Sequence, residues 1–284
     1  MEKREKTQIT AGLKALVSRI GSQSKAATLL GIGKSTVSVM LSGDPKGEVS
    51  DEMWRTVAAK VRSGDTGGAT WQVVETGVLA EIESVMQDAQ ADAGCTWIVA
   101  EAGSGKSTAA RYYAESYPRV HYVLCSDMVR GDFLKEIGRV LGLKLEGGSL
   151  KSMLSEIVGQ LLSEDRPLLV FDEADKLSDG VFNYFVQLYN LLEDRCGLVF
   201  LSTSGIEFRM ARGLEYRKRG YAEFNSRIGR RFFKTEPVSS NDVASICAGN
   251  GITDDATLRG IVEEASKYDN DLRRVKKLIK AHRA

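Results

Sequence analysis

"VAEAGSGKSTAARYY", Val99 to Tyr113, decides the fold. A loop with two glycines lies between an apolar run, "CTWIV", and a helix-forming segment that opens on lysine, "KSTAARYY". Successive backbone N–H groups in such a turn, together with the positive end of the following helix, make a concave anion site. The spacing is that of G-x-x-x-x-G-K-[ST], with Ala100 in the first glycine's place and Gly105, Lys106 and Ser107 closing it. The motif expects a phosphate cradle over Glu101, Ala102, Gly103, Ser104, Gly105, Lys106, Ser107 and Thr108. Lys106 would reach the β- and γ-phosphates, and the Ser107 hydroxyl would hold Mg²⁺.

A phosphate loop needs a strand before it, a helix after it and a carboxylate site further on. "PLLVFDEAD" supplies the last, placing Asp172 and Glu173 just past an apolar strand, where ligands of parallel sheets bind. Asp172 would join Ser107 around Mg²⁺, and Glu173 would orient an attacking water, since phosphoryl transfer needs positioning and charge neutralisation above all. The next apolar run, "GLVFLSTS", ends in Thr203 and Ser204, polar side chains able to reach between that water and a γ-phosphate. Continuous apolar strands alternate with amphipathic segments such as "GDFLKEIGRVLGL", "LKSMLSEIVGQLLSE" and "GVFNYFVQLYNLLEDR". That alternation predicts a parallel sheet with helices on both faces. "RRFFKTE" reads as its last strand, and residues 239–284 as a small helical tail.

Composition narrows the class. The 284 residues are 43% hydrophobic and 27% charged, as in ordinary globular proteins. The charged N-terminus "MEKREKTQIT" is no signal peptide, and no run approaches a membrane span. Cys95, Cys125, Cys196 and Cys247 are far apart, without metal-ligand spacing, and read as thiols of a reducing cytoplasm. Net charge is +1, but it is unevenly spread. Residues 1–62 hold 11 Lys/Arg against 6 Asp/Glu, residues 63–202 hold 11 against 21, and residues 203–284 hold 17 against 11. Basic ends around an acidic middle suit either a polyanion partner or solvated charged helices.

Residues 1–62 read as an all-α domain. "SQSKAATLLGIGKSTVSVMLSG", Ser22 to Gly43, has helix-turn-helix layout: Ala27 where two helices touch, Gly31 where the turn needs positive φ, apolar Ala26, Leu30, Ile32, Val37 and Met40 inward. Its second helix, about 34–41, would present Lys34 and Thr36 to a DNA groove. A helix capped by Ser50 follows, with Met53, Trp54, Val57 and Val61 on its apolar face. Residues 63–76 read as a linker, 77–237 as the nucleotide-binding core and 238–284 as a helical lid. "FRMARGLEYRKRG", Phe208 to Gly220, interleaves cations with aromatics and reads as a DNA-facing loop, a subunit contact or a solvated loop. Arg130 and Lys151 are further candidates for DNA contact.

The order of these parts resembles the AAA+ ATPases, and within them the MuB-type transposition target proteins and TnsC-type transposition regulators. The helix-turn-helix, "VET" (Val74 to Thr76), the phosphate loop, "DEAD" (Asp172 to Asp175), "GLVF" and "SRI" (Ser226 to Ile228) carry the likeness. It implies a cytoplasmic, ATP- and Mg²⁺-dependent protein that forms a head-to-tail filament on duplex DNA, chooses it as target and activates a DDE transposase. Lys106 and Ser107 then match Walker A, Asp172 and Glu173 Walker B, and Thr203 sensor 1. Arg227 matches the arginine finger that completes a neighbour's site, and Arg273 sensor 2. Two other readings stay open: a helix-turn-helix regulator with an oligomerising ATPase domain, and a helicase-loader-like ATPase.

Overall fold

The structure, a computed structural model, describes residues 3–20, 22–44, 49–63, 71–145 and 147–283. The chain divides into two compact units, Met1–Thr70 and Trp71–Ala284. Residues 64–70, the bulk of the expected linker, lie outside the described residues.

The first unit is helical: α1 (Lys3–Ile20), α2 (Gln23–Leu30), α3 (Lys34–Leu41) and α4 (Asp51–Ser63). Gly31, between α2 and α3, has φ of 65°, a conformation glycine adopts without strain. Ala26 is buried, and Leu30, Val37, Met40, Trp54 and Val57 share one core with Leu13, while Ile32 is only half-buried. The Ser50 hydroxyl accepts from the Met53 N–H at 3.2 Å, starting α4 as a side-chain cap.

The second unit runs α5 (Gly77–Ala91), β1 (Cys95–Val99), α6 (Lys106–Ser116), β2 (Val120–Leu124), α7 (Arg130–Val140), α8 (Leu150–Leu162) and β3 (Leu168–Asp172). A 3₁₀ turn, Ala174–Lys176, leads to α9 (Asp179–Leu192), β4 (Gly197–Ser202), α10 (Gly205–Glu215), α11 (Tyr221–Arg227) and β5 (Phe233–Lys234). α12 (Ser240–Gly249), α13 (Asp255–Ser266) and α14 (Leu272–Arg283) follow. The five strands are all parallel, in the order β2-β3-β4-β1-β5. This is the AAA+ P-loop arrangement.

Alternate side chains on each strand feed two cores, because a strand points successive residues to opposite faces. Trp97, Phe171 and Phe200 meet Phe182, Phe185 and Phe224 on one face, while Ile98, Val170 and Val199 meet α5, α6 and the C-terminal helices on the other. Each fully buried apolar side chain contributes about 1.5–3 kcal/mol. The Trp97 indole N–H is satisfied by the Ser202 hydroxyl at 2.8 Å. Among the described residues no helix is long and apolar enough to cross a membrane.

Three expectations change. The last strand is only Phe233–Lys234, paired along β1 at the sheet edge, rather than all of "RRFFKTE". The basic stretch 208–220 is mostly helix rather than loop: Ile206, Met210 and Gly213 are buried at helical spacing, and only the residues after Glu215 turn. Residues 71–76, placed in the linker by composition, are anchored to α12. The Asn250 side chain accepts from the Gln72 N–H and donates to the Gln72 carbonyl, both at 3.0 Å.

Gly213 marks a close approach. A Cβ there would lie 2.0 Å from Cδ1 of Tyr221, a buried ring with nowhere to move. Gly213→Ala is therefore expected to cost about 1–3 kcal/mol, of which alanine's helix propensity returns about 1. A thermal melt of the full chain checks this; an unchanged or raised midpoint would contradict the packing.

Candidate nucleotide site

The loop between β1 and α6 is shaped by two left-handed glycines, Gly103 at φ 82° and Gly105 at φ 96°. A Cβ on Gly103 would come within 2.5–2.7 Å of the Asp271 carboxyl group, so the position excludes any side chain. Lys106 opens α6 and is buried; among the described residues its ammonium has one hydrogen-bond partner, the Glu101 carbonyl at 3.5 Å. The Ser104 hydroxyl is buried and has no hydrogen-bond partner among the described residues. A buried cation without a counterion beside an orphaned hydroxyl is a site built for an anion.

The second wall comes from the carboxyl end of β3. Asp172 is fully buried, and both oxygens are held: Oδ1 accepts from the Glu173 N–H at 2.9 Å, and Oδ2 from the Tyr122 hydroxyl at 2.7 Å. Burial, then the bond to Asp172, raises the Tyr122 phenol well above its ordinary value, so it remains a donor. Glu173 has φ 56° and pairs with Lys176 at 2.6 Å. An ion pair this exposed contributes about 0–1 kcal/mol, so Glu173 is easily released to a water.

These walls enclose a cleft of about 410 Å³, within the ~300–1,000 Å³ typical of small-ligand sites. Gly103, Ser104, Gly105, Lys106, Ser107, Thr108, Asp172, Glu173 and Arg273 line it, and so do the apolar side chains of Trp71, Val73, Val74, Leu79, Ile246 and Leu272. Glu101 and Ala102 are exposed and do not line it. Thr203 does not line it either; its hydroxyl is 3.4 Å from an Asp175 carboxylate oxygen.

Arg227 is also absent from the cleft. It lies on α11 against α9, where Asn190 Oδ1 accepts from its Nη2 at 2.7 Å and its Nε at 3.2 Å, the Glu223 carbonyl accepts from Nη1 at 2.9 Å, and the guanidinium sits 5.4 Å from the Tyr189 ring centre. Among the described residues no carboxylate pairs with it. Lys34, Arg130 and Lys151 are exposed and Thr36 half-buried; none belongs to the cleft.

Sequence reasoning missed Arg111, Tyr122 and Lys276, which all line the cleft. Lys276 follows Arg273 by three residues, one helical turn, and that spacing was the available signal. It lies 4.8 Å from the Trp71 ring centre.

Parallel sheet, glycine loop, lysine and strand-end acid together make an AAA+ P-loop fold. A family model described as an AAA domain matches residues 89–210. No curated protein matches the chain. Among solved structures, a Walker-type ATPase of Pyrococcus abyssi is 13% identical, covering 71% of each chain at a TM-score of 0.45. Hsp104 with ATPγS and casein is 16% identical, with 96% of this chain and 58% of that one covered, at 0.45. NtrX from Brucella abortus is 12% identical, with 82% and 56% covered, at 0.47. The matched domain, and not these likenesses, carries the class.

Proposed function

We propose that the chain hydrolyses ATP with Mg²⁺ and uses the bound nucleotide to assemble head to tail on duplex DNA, which it selects as target and delivers to a DDE transposase. The observation that carries this reading is the division of cations. Lys106 and Arg273 belong to the chain's own cleft, whereas Arg227 is held on α11 by neutral partners, outside it. An arginine presented in that way suits a neighbouring copy's nucleotide, and a head-to-tail contact that does not close makes a filament.

The cleft fits the cofactor. The Ser104 hydroxyl, unpartnered among the described residues, and the glycine cradle would take phosphate oxygens, Lys106 would neutralise them, and the apolar lining side chains would take the base. Among the described residues no cluster of three or more His, Cys, Asp or Glu could hold a metal alone. That agrees with Mg²⁺, which binds through one or two protein ligands plus phosphates and waters; here Asp172 and the Ser107 hydroxyl would serve. The ion supplies charge neutralisation when bound. Tyr122 fixes the Asp172 carboxylate in advance, and Glu173, freed from Lys176, would take the proton of the attacking water. Duplex binding rests on the sequence resemblance and on the basic flanks of the chain, the first of which carries Lys34 and the hydroxyl of Thr36.

Electron microscopy of the protein with plasmid DNA tests the whole reading. Continuous coating is expected with a slowly hydrolysed ATP analogue and none without nucleotide. Glu173→Gln should coat with ATP itself and persist at least about tenfold longer than the wild type, hydrolysis being blocked. Particles at one site in both conditions would overturn the proposal in favour of a sequence-specific regulator.

A further inference from the structure

We infer that the exposed face of α10 and the turn after it form a second site, which binds an unpaired nucleic-acid strand. Phe208, Arg212 and Tyr216 recur every fourth residue and so form one stripe along the helix. Phe208, 71% exposed, is the most exposed large hydrophobic among the described residues, and Tyr216 is 64% exposed. The Arg212 guanidinium lies 5.8 Å from the Tyr216 ring centre. These side chains border a concavity of about 560 Å³ that contains no aliphatic residue.

The stripe stands on a rigid base. Asp179 accepts from the Tyr221 hydroxyl at 2.6 Å, Arg209 at 2.8 Å and Lys218 at 2.9 Å. Burial would raise the Asp179 carboxyl, but these three donors outweigh it and hold it far below its usual value. Arg209 also stacks 4.4 Å from the Phe182 ring centre and donates to the Asp175 carbonyl at 2.7 Å. Two cations are thus consumed by structure. Arg212, Arg217 and Arg219 are exposed and make no ion pair among the described residues.

Charge decides which partner fits. With Arg209 and Lys218 paired to Asp179, three arginines, Arg212, Arg217 and Arg219, remain against one anion, Glu215. A face of one sign attracts a polyanion and repels a second copy of itself. A duplex hides its bases and gives open rings nothing to stack on. Single strands offer both features: phosphates for the arginines and base faces for Phe208 and Tyr216, the combination found in sequence-tolerant strand binders. This site is independent of the duplex filament proposed above.

Fluorescence anisotropy of the full chain with a labelled thymidine 20-mer, and with a labelled 20-base-pair duplex, tests it. Phe208→Ala and Tyr216→Ala should each weaken strand binding roughly 5- to 150-fold, with Phe208→Trp restoring it and melts unchanged. Replacing Arg212, Arg217 and Arg219 by alanine should reduce the single-strand salt slope by about 2. Equal losses on duplex and single strand, an unaffected single strand, or a changed oligomeric mass in the ring variants would each overturn the assignment, the last pointing to a protein interface. Strand binding that survives where wild-type protein fails to coat duplex would sink the filament and leave this site standing.

Discussion

Lys106→Ala is expected to lower ATP turnover by about 10²–10³-fold and to abolish nucleotide-dependent DNA binding, while leaving the fold intact. The lysine is buried at the start of α6, and its ammonium has one weak neighbour, the Glu101 carbonyl at 3.5 Å. Little native structure is therefore lost with it. What disappears is the buried cation at the glycine loop, leaving a phosphate chain there with only the more exposed Arg111, Arg273 and Lys276 of the cleft. Turnover, duplex anisotropy with and without ATP, and a thermal melt together make the check. A variant that coats DNA with ATP as the parent does would remove the nucleotide from the account.

Arg227→Ala should be as damaging by another route, losing roughly 10³–10⁵ in turnover while still binding nucleotide. The guanidinium is oriented by Asn190, the Glu223 carbonyl and the Tyr189 ring, none of which neutralises it. Its full charge is available to a partner. The mixing experiment is the stringent one. A Lys106→Ala chain, whose own pocket holds no nucleotide, still presents an intact Arg227 to the occupied pocket of an Arg227→Ala chain, and that junction is complete. Mixing two nearly dead proteins should therefore restore turnover well above the sum of the two alone. No recovery at any ratio would mean that the arginine acts within its own chain or on structure alone.

The parallel sheet was legible because each inner strand is a short unbroken apolar run: "CTWIV", "LLVFD" and "GLVFLS" are buried on both faces, and nothing else of that length and composition is tolerated there. The phosphate loop was legible because its chemistry is local, eight residues in a row. Residues brought together by register were not. Tyr122 meets Asp172 only because β2 and β3 pair with Tyr122 beside Val170, which brings the hydroxyl up to the strand end. Helix α10 was read as a loop because its cations and rings occupy the exposed positions and mask the sparse buried ones, Ile206, Met210 and Gly213. Trp71 to Val74 read as linker because their partner, Asn250, lies 178 residues further on.

The first peptide group of α14 rests on the glycine loop: the Leu272 N–H donates to the Gly103 carbonyl at 2.9 Å, with Asp271 packed where a loop side chain would otherwise stand. The C-terminal three-helix bundle is thereby latched to the very backbone that an arriving anion must grip. A substitution in those helices, far from any reacting atom, is therefore expected to change how firmly the loop holds an anion, which phosphate affinity of such a variant would read.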